Sequence, residues 1–178
     1  MQAMIPRWWS ELWGSLMTIR IKPATPADAP IILQLIRELA EFERLLHEVQ
    51  ATEGQVREQL FGPRPAAEVV IARIGDEVAG FALFFPNFST FLAKPGIYLE
   101  DLYVRQKFRG QGCGEELLRH LARTALERGC GRLEWSVLDW NVRAIDFYKS
   151  LGAVQMDQWT VHRVTGDALV KLGRGEHG

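Results

Sequence analysis

Long apolar runs are missing from this chain. The longest, residues 78–85, falls well short of the roughly 18 residues that a membrane-crossing helix requires. Cysteine is scarce. Cys113 and Cys130 are too few to form a metal cluster by themselves, and no His or Cys pair has ligand spacing, so no metal is expected. A disulfide between them is out of keeping with a chain that reads as cytoplasmic. Neither sign of charge is in surplus: 21 Lys and Arg against 22 Asp and Glu leave a net charge of -1. That excludes the broad basic surface of a general nucleic-acid binder. The histidines, His47, His120, His162 and His177, form no constellation and receive no role. Repeats and low-complexity linkers are absent. What is present, 47% hydrophobic and 24% charged residues over 178 positions, is the composition of one globular domain with a sizeable core.

Residues 1–16 stand apart, with Trp8, Trp9 and Trp13 among few charges. They lack the continuous apolar core and small-residue cleavage site of a signal peptide. They read as an extension, either a surface-seeking amphipathic helix or an upstream start before a core that begins at Met17. The expected domain spans 17–172, with a tail over 173–178.

Residues 18–21 alternate in β-branched fashion and predict a first strand. Thr25-Pro26-Ala27-Asp28 supplies a helix start, with Thr as N-cap, Pro at the first helical position and an acid at the third. Ile31, Ile32, Leu35, Ile36, Leu39 and Phe42 continue it at helical period. Thr52 caps a short second helix that ends before Gly62-Pro63. Residues 68–74 and 78–88, around Gly75-Asp76-Glu77, predict an antiparallel hairpin. A loop punctuated by Pro86, Asn87 and Lys94-Pro95-Gly96 leads to a strand over 97–104. An amphipathic helix over 115–128 follows, ended by Gly129 and Gly131. Residues 132–138 predict a strand, and Asn141 caps a helix through Ala144, Ile145, Tyr148 and Leu151 to Gly152. Residues 154–164 and 168–172 predict closing strands about a turn at Gly166-Asp167. The order is that of an α/β chain, a mixed sheet covered by helices.

The most informative stretch is Arg105 to Gly114. Gly110, Gly112 and Gly114 alternate between the strand over 97–104 and the long helix, so the backbone can turn tightly and approach a ligand. Unpaired N–H groups and the dipole at the helix start favour an anion, and Arg105, Lys107 and Arg109 add countercharge. On spacing alone the loop reads either as a phosphate cradle or as a strand-to-helix turn with a solvated basic rim. A P-loop is not indicated, because no Lys-Ser/Thr follows Gly114.

Tyr98-Leu99-Glu100-Asp101-Leu102-Tyr103-Val104 followed by Arg109-Gly110-Gln111-Gly112-Cys113-Gly114 resembles the acetyl-CoA site of the GNAT N-acetyltransferases, with Arg109, Gly112 and Gly114 satisfying the family's loop pattern. Arg37-Glu38-Leu39-Ala40-Glu41-Phe42-Glu43, Val137-Leu138-Asp139-Trp140-Asn141 and Phe147-Tyr148-Lys149-Ser150-Leu151-Gly152-Ala153 are similar to the diamine (spermidine/spermine) and thialysine acetyltransferase branch. The resemblance covers residues 17–172. It implies the GNAT fold, a central mixed, mostly antiparallel sheet flanked by helices, and an enzyme that acetylates a small cationic amine with acetyl-CoA. It also implies a homodimer. The alternatives are a GNAT enzyme acting on protein amines or another amine metabolite, and a non-catalytic acyl-CoA-binding module.

By that resemblance the backbone of Leu102, Tyr103 and Val104 pairs with the pantetheine arm. The N–H groups of Arg109, Gly110, Gln111, Gly112, Cys113 and Gly114 hold the pyrophosphate, and Arg105 or Lys107 reaches the outer phosphates. An alkylammonium, with an ordinary pKa of ~10, must lose a proton before it attacks a thioester. Glu100 interrupts an apolar strand, where a carboxylate is costly without purpose, and is the candidate proton acceptor, directly or through water; its alternative is a structural ion pair. Asp101 is expected on the opposite sheet face in a supporting role. Asn141, Ala144 and Tyr148 share a helix face. The resemblance gives all three to acetyl-CoA and makes Tyr148 the acid that protonates the leaving thiolate. Cationic acceptors call for carboxylates and aromatic faces. Phe42, Glu43, Glu134, Trp135, Ser136 and Asp157 join Glu100 as acceptor-site candidates; at Asp157 relatives carry Glu, which bears on preferred chain length. No covalent intermediate is needed, so neither cysteine is a nucleophile.

Overall fold

The computed structural model describes residues 18–176. The chain divides into two units, Met1–Ser136 and Val137–Gly178. In the first, β1 (Ile19–Pro23), β2 (Glu68–Ile74), β3 (Glu77–Ser89), β4 (Lys94–Val104) and β5 (Leu133–Trp135) form one sheet in that order. Neighbours are antiparallel except β4 and β5, which run parallel because a helix crossover, α3 (Cys113–Glu127), joins them. The mixed, mostly antiparallel sheet flanked by helices is the expected architecture.

Two predicted caps set the helices of the other face. Thr25 and Asp28 form a capping box around a short 3-10 turn, Pro26–Asp28, which runs into α1 (Ala29–Phe42). Thr52 and Gln55 form a second box, with Gln55 N–H donating to Thr52 Oγ1 at 3.3 Å, and start α2 (Glu53–Phe61). Each box satisfies N–H groups that the first turn leaves without partners. Ala29, Ile32 and Leu35 of α1 and Val56 of α2 pack on Val69, Ile71 and Phe81. The opposite face packs on α3, where Leu117, Leu121 and Ala125 are buried at helical period.

The sheet contains a slip that positions the site. Leu83 lies opposite Asp101, but the next residue, Phe84, lies opposite Leu99, so Glu100 is left without a partner in a β-bulge. Phe81, Leu83 and Phe85 share one face of β3, and their partners Tyr103, Asp101 and Tyr98 therefore share it too. Pairing of β4 with β5 ends at Leu99 and Trp135, immediately before the bulge. The strand expected over 132–138 is accordingly only three residues long.

The loop expected around Asn87 to Gly96 is instead mostly ladder, from Pro86 opposite Ile97 to Ser89 opposite Lys94. Pro86 is tolerated because β2 ends at Glu68 opposite Phe84, leaving β3 with an open edge where a missing N–H breaks no ladder bond.

In the second unit, Asn141 accepts the Ala144 N–H on Oδ1 at 3.3 Å and caps α4 (Val142–Ser150) as predicted; Gly152 follows in the left-handed region, φ 88°. The predicted closing strands do not form. Residues 154–164 adopt no regular element, and residues 168–172 lie inside a helix, α5 (Gly166–Gly173). Thr165 at the N-cap, Asp167 in the first turn and Lys171 in the last favour that helix, and a β-branched run without a partner strand has nothing to hold it extended. Residues 1–17, which include the tryptophan-rich segment, lie outside the described residues.

Candidate active site

β4 leads through a 3-10 turn, Gln106–Phe108, into the glycine loop. Gly110 and Gly112 have φ of 77° and 82°, a left-handed backbone that a side chain disfavours, and Gly112 is the N-cap of α3. Gly112 C=O accepts the Glu116 N–H at 3.0 Å, so the intervening N–H groups open the helix without intrahelical acceptors. Gly110, Gln111 and Gly112 are exposed, as an anion cradle requires. Cys113 Sγ is buried, and burial pushes its thiol up to about 11; it packs as a neutral group.

The loop's basic side chains are otherwise engaged. Arg105 makes a bidentate pair with Glu38 at 2.9 and 2.8 Å and donates to Val78 C=O at 3.2 Å. Lys107 pairs with Glu77. Arg109 Nε donates to Val104 C=O at 2.9 Å, and its guanidinium lies over the rings of Phe42, 4.5 Å from the centroid, and Tyr103, 5.6 Å away. Fold contacts thus hold Arg105 and Lys107, and the exposed backbone N–H groups carry the fit to a pyrophosphate.

Leu102, Tyr103 and Val104 close β4. Among the described residues no strand pairs with their β5-side edge, because β5 stops at Trp135. That open edge fits an extended amide-bearing arm such as pantetheine, which would add itself as a strand.

Carboxylates gather at the bulge. Glu100 is exposed. Asp101 lies half-buried on the face shared by Tyr98 and Tyr103. Burial first, then the negative charges of Glu100 and Glu43, push its carboxyl up to about 7. Burial likewise raises Glu43, at the C-terminal end of α1. Strict alternation along β4 hid this grouping. A carboxyl near neutrality beside like charges can bind a cation or take a proton at physiological pH.

The remaining candidates are placed less uniformly. Phe42 ends α1 with its ring under the Arg109 guanidinium. Glu134 on β5 is held by Asn87 Nδ2 at 2.7 Å and by Arg132 at 2.7 Å, while Trp135 beside it is half-buried. Ser136 Oγ is 2.8 Å from the hydroxyl of Tyr98, whose ring stacks on Phe85. Tyr98, an additional polar group on the Asp101 face, went unassigned in the sequence. In the second unit, Asn141, Ala144 and Tyr148 lie on one face of α4, and Asp157 is exposed in irregular chain. Among the described residues no helix is long and apolar enough to cross a membrane, and no three or more His, Cys, Asp or Glu side chains gather to hold a metal.

Residues 33–153 match the model of the Acetyltransferase (GNAT) family. The thialysine N-epsilon-acetyltransferase of Bos taurus is 39% identical, covering 86% of this chain and 96% of that protein. The L-ornithine N5-acetyltransferase of Arabidopsis thaliana is 38% identical, covering 90% of each. A solved integron cassette protein from the mobile metagenome of V. cholerae superposes with a TM-score of 0.75 at 29% identity, over 89% of this chain and 99% of that one. With the bulged β4, the glycine loop at a helix N-terminus and these relatives together, the chain belongs to the GNAT family of acetyltransferases.

Proposed function

We propose that the protein transfers an acetyl group from acetyl-CoA to a primary amine of a small cationic molecule, of the polyamine or lysine-like class that includes thialysine and ornithine. Attack is direct, in a ternary complex. The observation that carries this reading is the coincidence of three features on β4: an open edge after Leu99, a carboxylate grouping at the bulge, and the glycine loop that follows.

Bound acetyl-CoA supplies the activated thioester. The open edge of Leu102 to Val104 orients its arm, and the N–H groups from Arg109 to Gly114 hold its pyrophosphate. Glu43 and Asp101 draw the acceptor's ammonium toward the bulge by charge. Glu100, directly or through a water, takes the proton that frees the attacking nitrogen. Asn141 and Ala144 border the cofactor by the family's pattern, and the Tyr148 hydroxyl returns a proton to the departing thiolate. Ser136 and Trp135 line the acceptor's approach, with Glu134 buttressing β5 and Asp157 available to a distal cation. The working form is a cytoplasmic homodimer of a domain spanning residues 17–172.

Glu100→Gln and Tyr148→Phe are each expected to lower kcat by roughly 10²–10⁴, the usual loss for a positioned acid or base, in an assay of thiol release from acetyl-CoA. Unchanged rates would remove these residues from the mechanism. Size measurement at micromolar concentration should return twice the 20.2 kDa mass of the chain; monomer alone would count against the dimer.

A further inference from the structure

Arg109 and Phe42 have separate roles by sequence, one as countercharge in the phosphate loop and the other as an aromatic face for the acceptor's cation. In the structure they engage each other. The guanidinium lies 4.5 Å from the Phe42 centroid and 5.6 Å from that of Tyr103, while Nε donates to Val104 C=O at 2.9 Å. These partners belong to different segments: Phe42 is the last residue of α1, and Tyr103 and Val104 are the last two of β4. Arg109 itself is the residue at which the 3-10 turn gives way to the glycine loop. One planar cation thus ties the end of the acceptor-side helix to the root of the phosphate loop.

We infer that Arg109 is a positioning residue for the cofactor loop, and that Phe42 serves the cofactor by holding Arg109 rather than by offering its ring to the acceptor. The geometry suits Arg specifically. A guanidinium can stack its plane on one or two rings while Nε–H donates in that plane, whereas an ammonium is a point charge with no face to stack. A loop anchored on one side by the sheet and on the other by α1 presents its N–H groups with less conformational freedom to lose on binding, which raises affinity without a new contact to the ligand. Gly110, immediately after Arg109, is already in the left-handed region, so the loop's course depends on where Arg109 is held.

The inference rests on the acetyl-CoA reading, and its test separates the two. Phe42→Leu, Arg109→Lys, the double variant and the conservative Phe42→Tyr are titrated with CoA by calorimetry and melted without ligand. The expected result is that Phe42→Leu and Arg109→Lys each weaken CoA binding by roughly 5- to 30-fold, the range of a partly desolvated cation–π contact. The double variant is expected to be no weaker than the worse single, and Phe42→Tyr to restore wild-type affinity. The unfolding midpoints should show the same non-additivity, since both changes break one contact. If Phe42→Leu leaves CoA affinity intact and instead raises KM for the amine, the inference is overturned. Arg109→Lys alone weakening CoA binding would also overturn it, because the guanidinium would then act on phosphate directly. A wild-type protein that binds no CoA overturns the acetyl-transfer reading, and the melting cycle still decides the brace, with additive midpoints contradicting it.

Discussion

Asp101 and Glu100 are sequence neighbours, and the bulge gives them unlike surroundings. Glu100 is exposed and outside the ladder, whereas Asp101 is half-buried opposite Leu83 and is pushed up to about 7 by burial and by the charges of Glu100 and Glu43. Its ionised form, the one that attracts a cation, therefore appears as pH rises through about 7. A plot of log kcat/KM for a diamine against pH should rise through an ionisation near 7, and Asp101→Asn should remove that step while lowering the plateau. Folding is linked to the same proton. Asp101 holds it more tightly folded than unfolded, where the ordinary value is 3.8, so the stabilisation is complete below that value and is lost as pH rises through about 7. Asp101→Asn should thus be more stable than wild type, by an amount that grows from pH 5 towards roughly 2–4 kcal/mol at pH 8. Denaturation midpoints at the two pH values measure it, and a gain that shrinks as pH rises would contradict the sign.

At the scale of elements, the site is set by β4, whose pairing with β5 ends at Leu99 and which is bulged against β3 at the next residue. Gly80 on β3 lets the two strands approach beside the end of β4: a Cβ there would lie 2.3 Å from the carbonyl oxygen of Tyr103. Gly80→Ala should force the two strands apart and cost about 1–3 kcal/mol, read as a lower denaturant midpoint at unchanged slope. It should also disturb the segment that carries Leu102 to Val104. Which parts of this were legible follows from range. The Thr25–Asp28 start and the Thr52 and Asn141 caps are local chemistry, written in a few consecutive residues, and the sequence reveals them; the Gln55 partner of Thr52 emerges in the structure. The bulge at Glu100 is a one-residue slip against a partner strand, so no inspection of β4 alone discloses it, nor that Tyr98 shares the face of Asp101. Residues 87–96 carry turn-forming Asn, Pro and Gly, yet pairing between β3 and β4 overrides them until Thr90. Residues 168–172 are apolar enough for a strand, but Thr165, Asp167 and Lys171 frame them as a helix. The Arg109–Phe42 contact joins positions 67 residues apart and has no local signature.

For the whole molecule, the near-neutral net charge of -1 conceals a local division of sign. Negative side chains gather where the proposed acceptor's ammonium approaches, and unpaired N–H groups collect at the start of α3 where phosphates are proposed to sit. Neither feature depends on overall charge; both come from how β4 delivers its end into a helix. Attraction of a dication to Glu43, Glu100 and Asp101 should weaken with salt: kcat/KM for a diamine should fall several-fold between about 0.05 and 0.5 M ionic strength, while KM for acetyl-CoA changes less. Equal salt dependence for a neutral amine would argue that the carboxylates take no part in capture. The decisive experiment is an acceptor panel, with thiol release from acetyl-CoA followed for diamines, ornithine, lysine and thialysine beside peptides with free N-termini. Acetylation of the small cationic amines, lost in Glu100→Gln and weak or absent on the peptides, is the predicted outcome. Turnover confined to the peptides, or small-amine turnover that survives in Glu100→Gln, would contradict it.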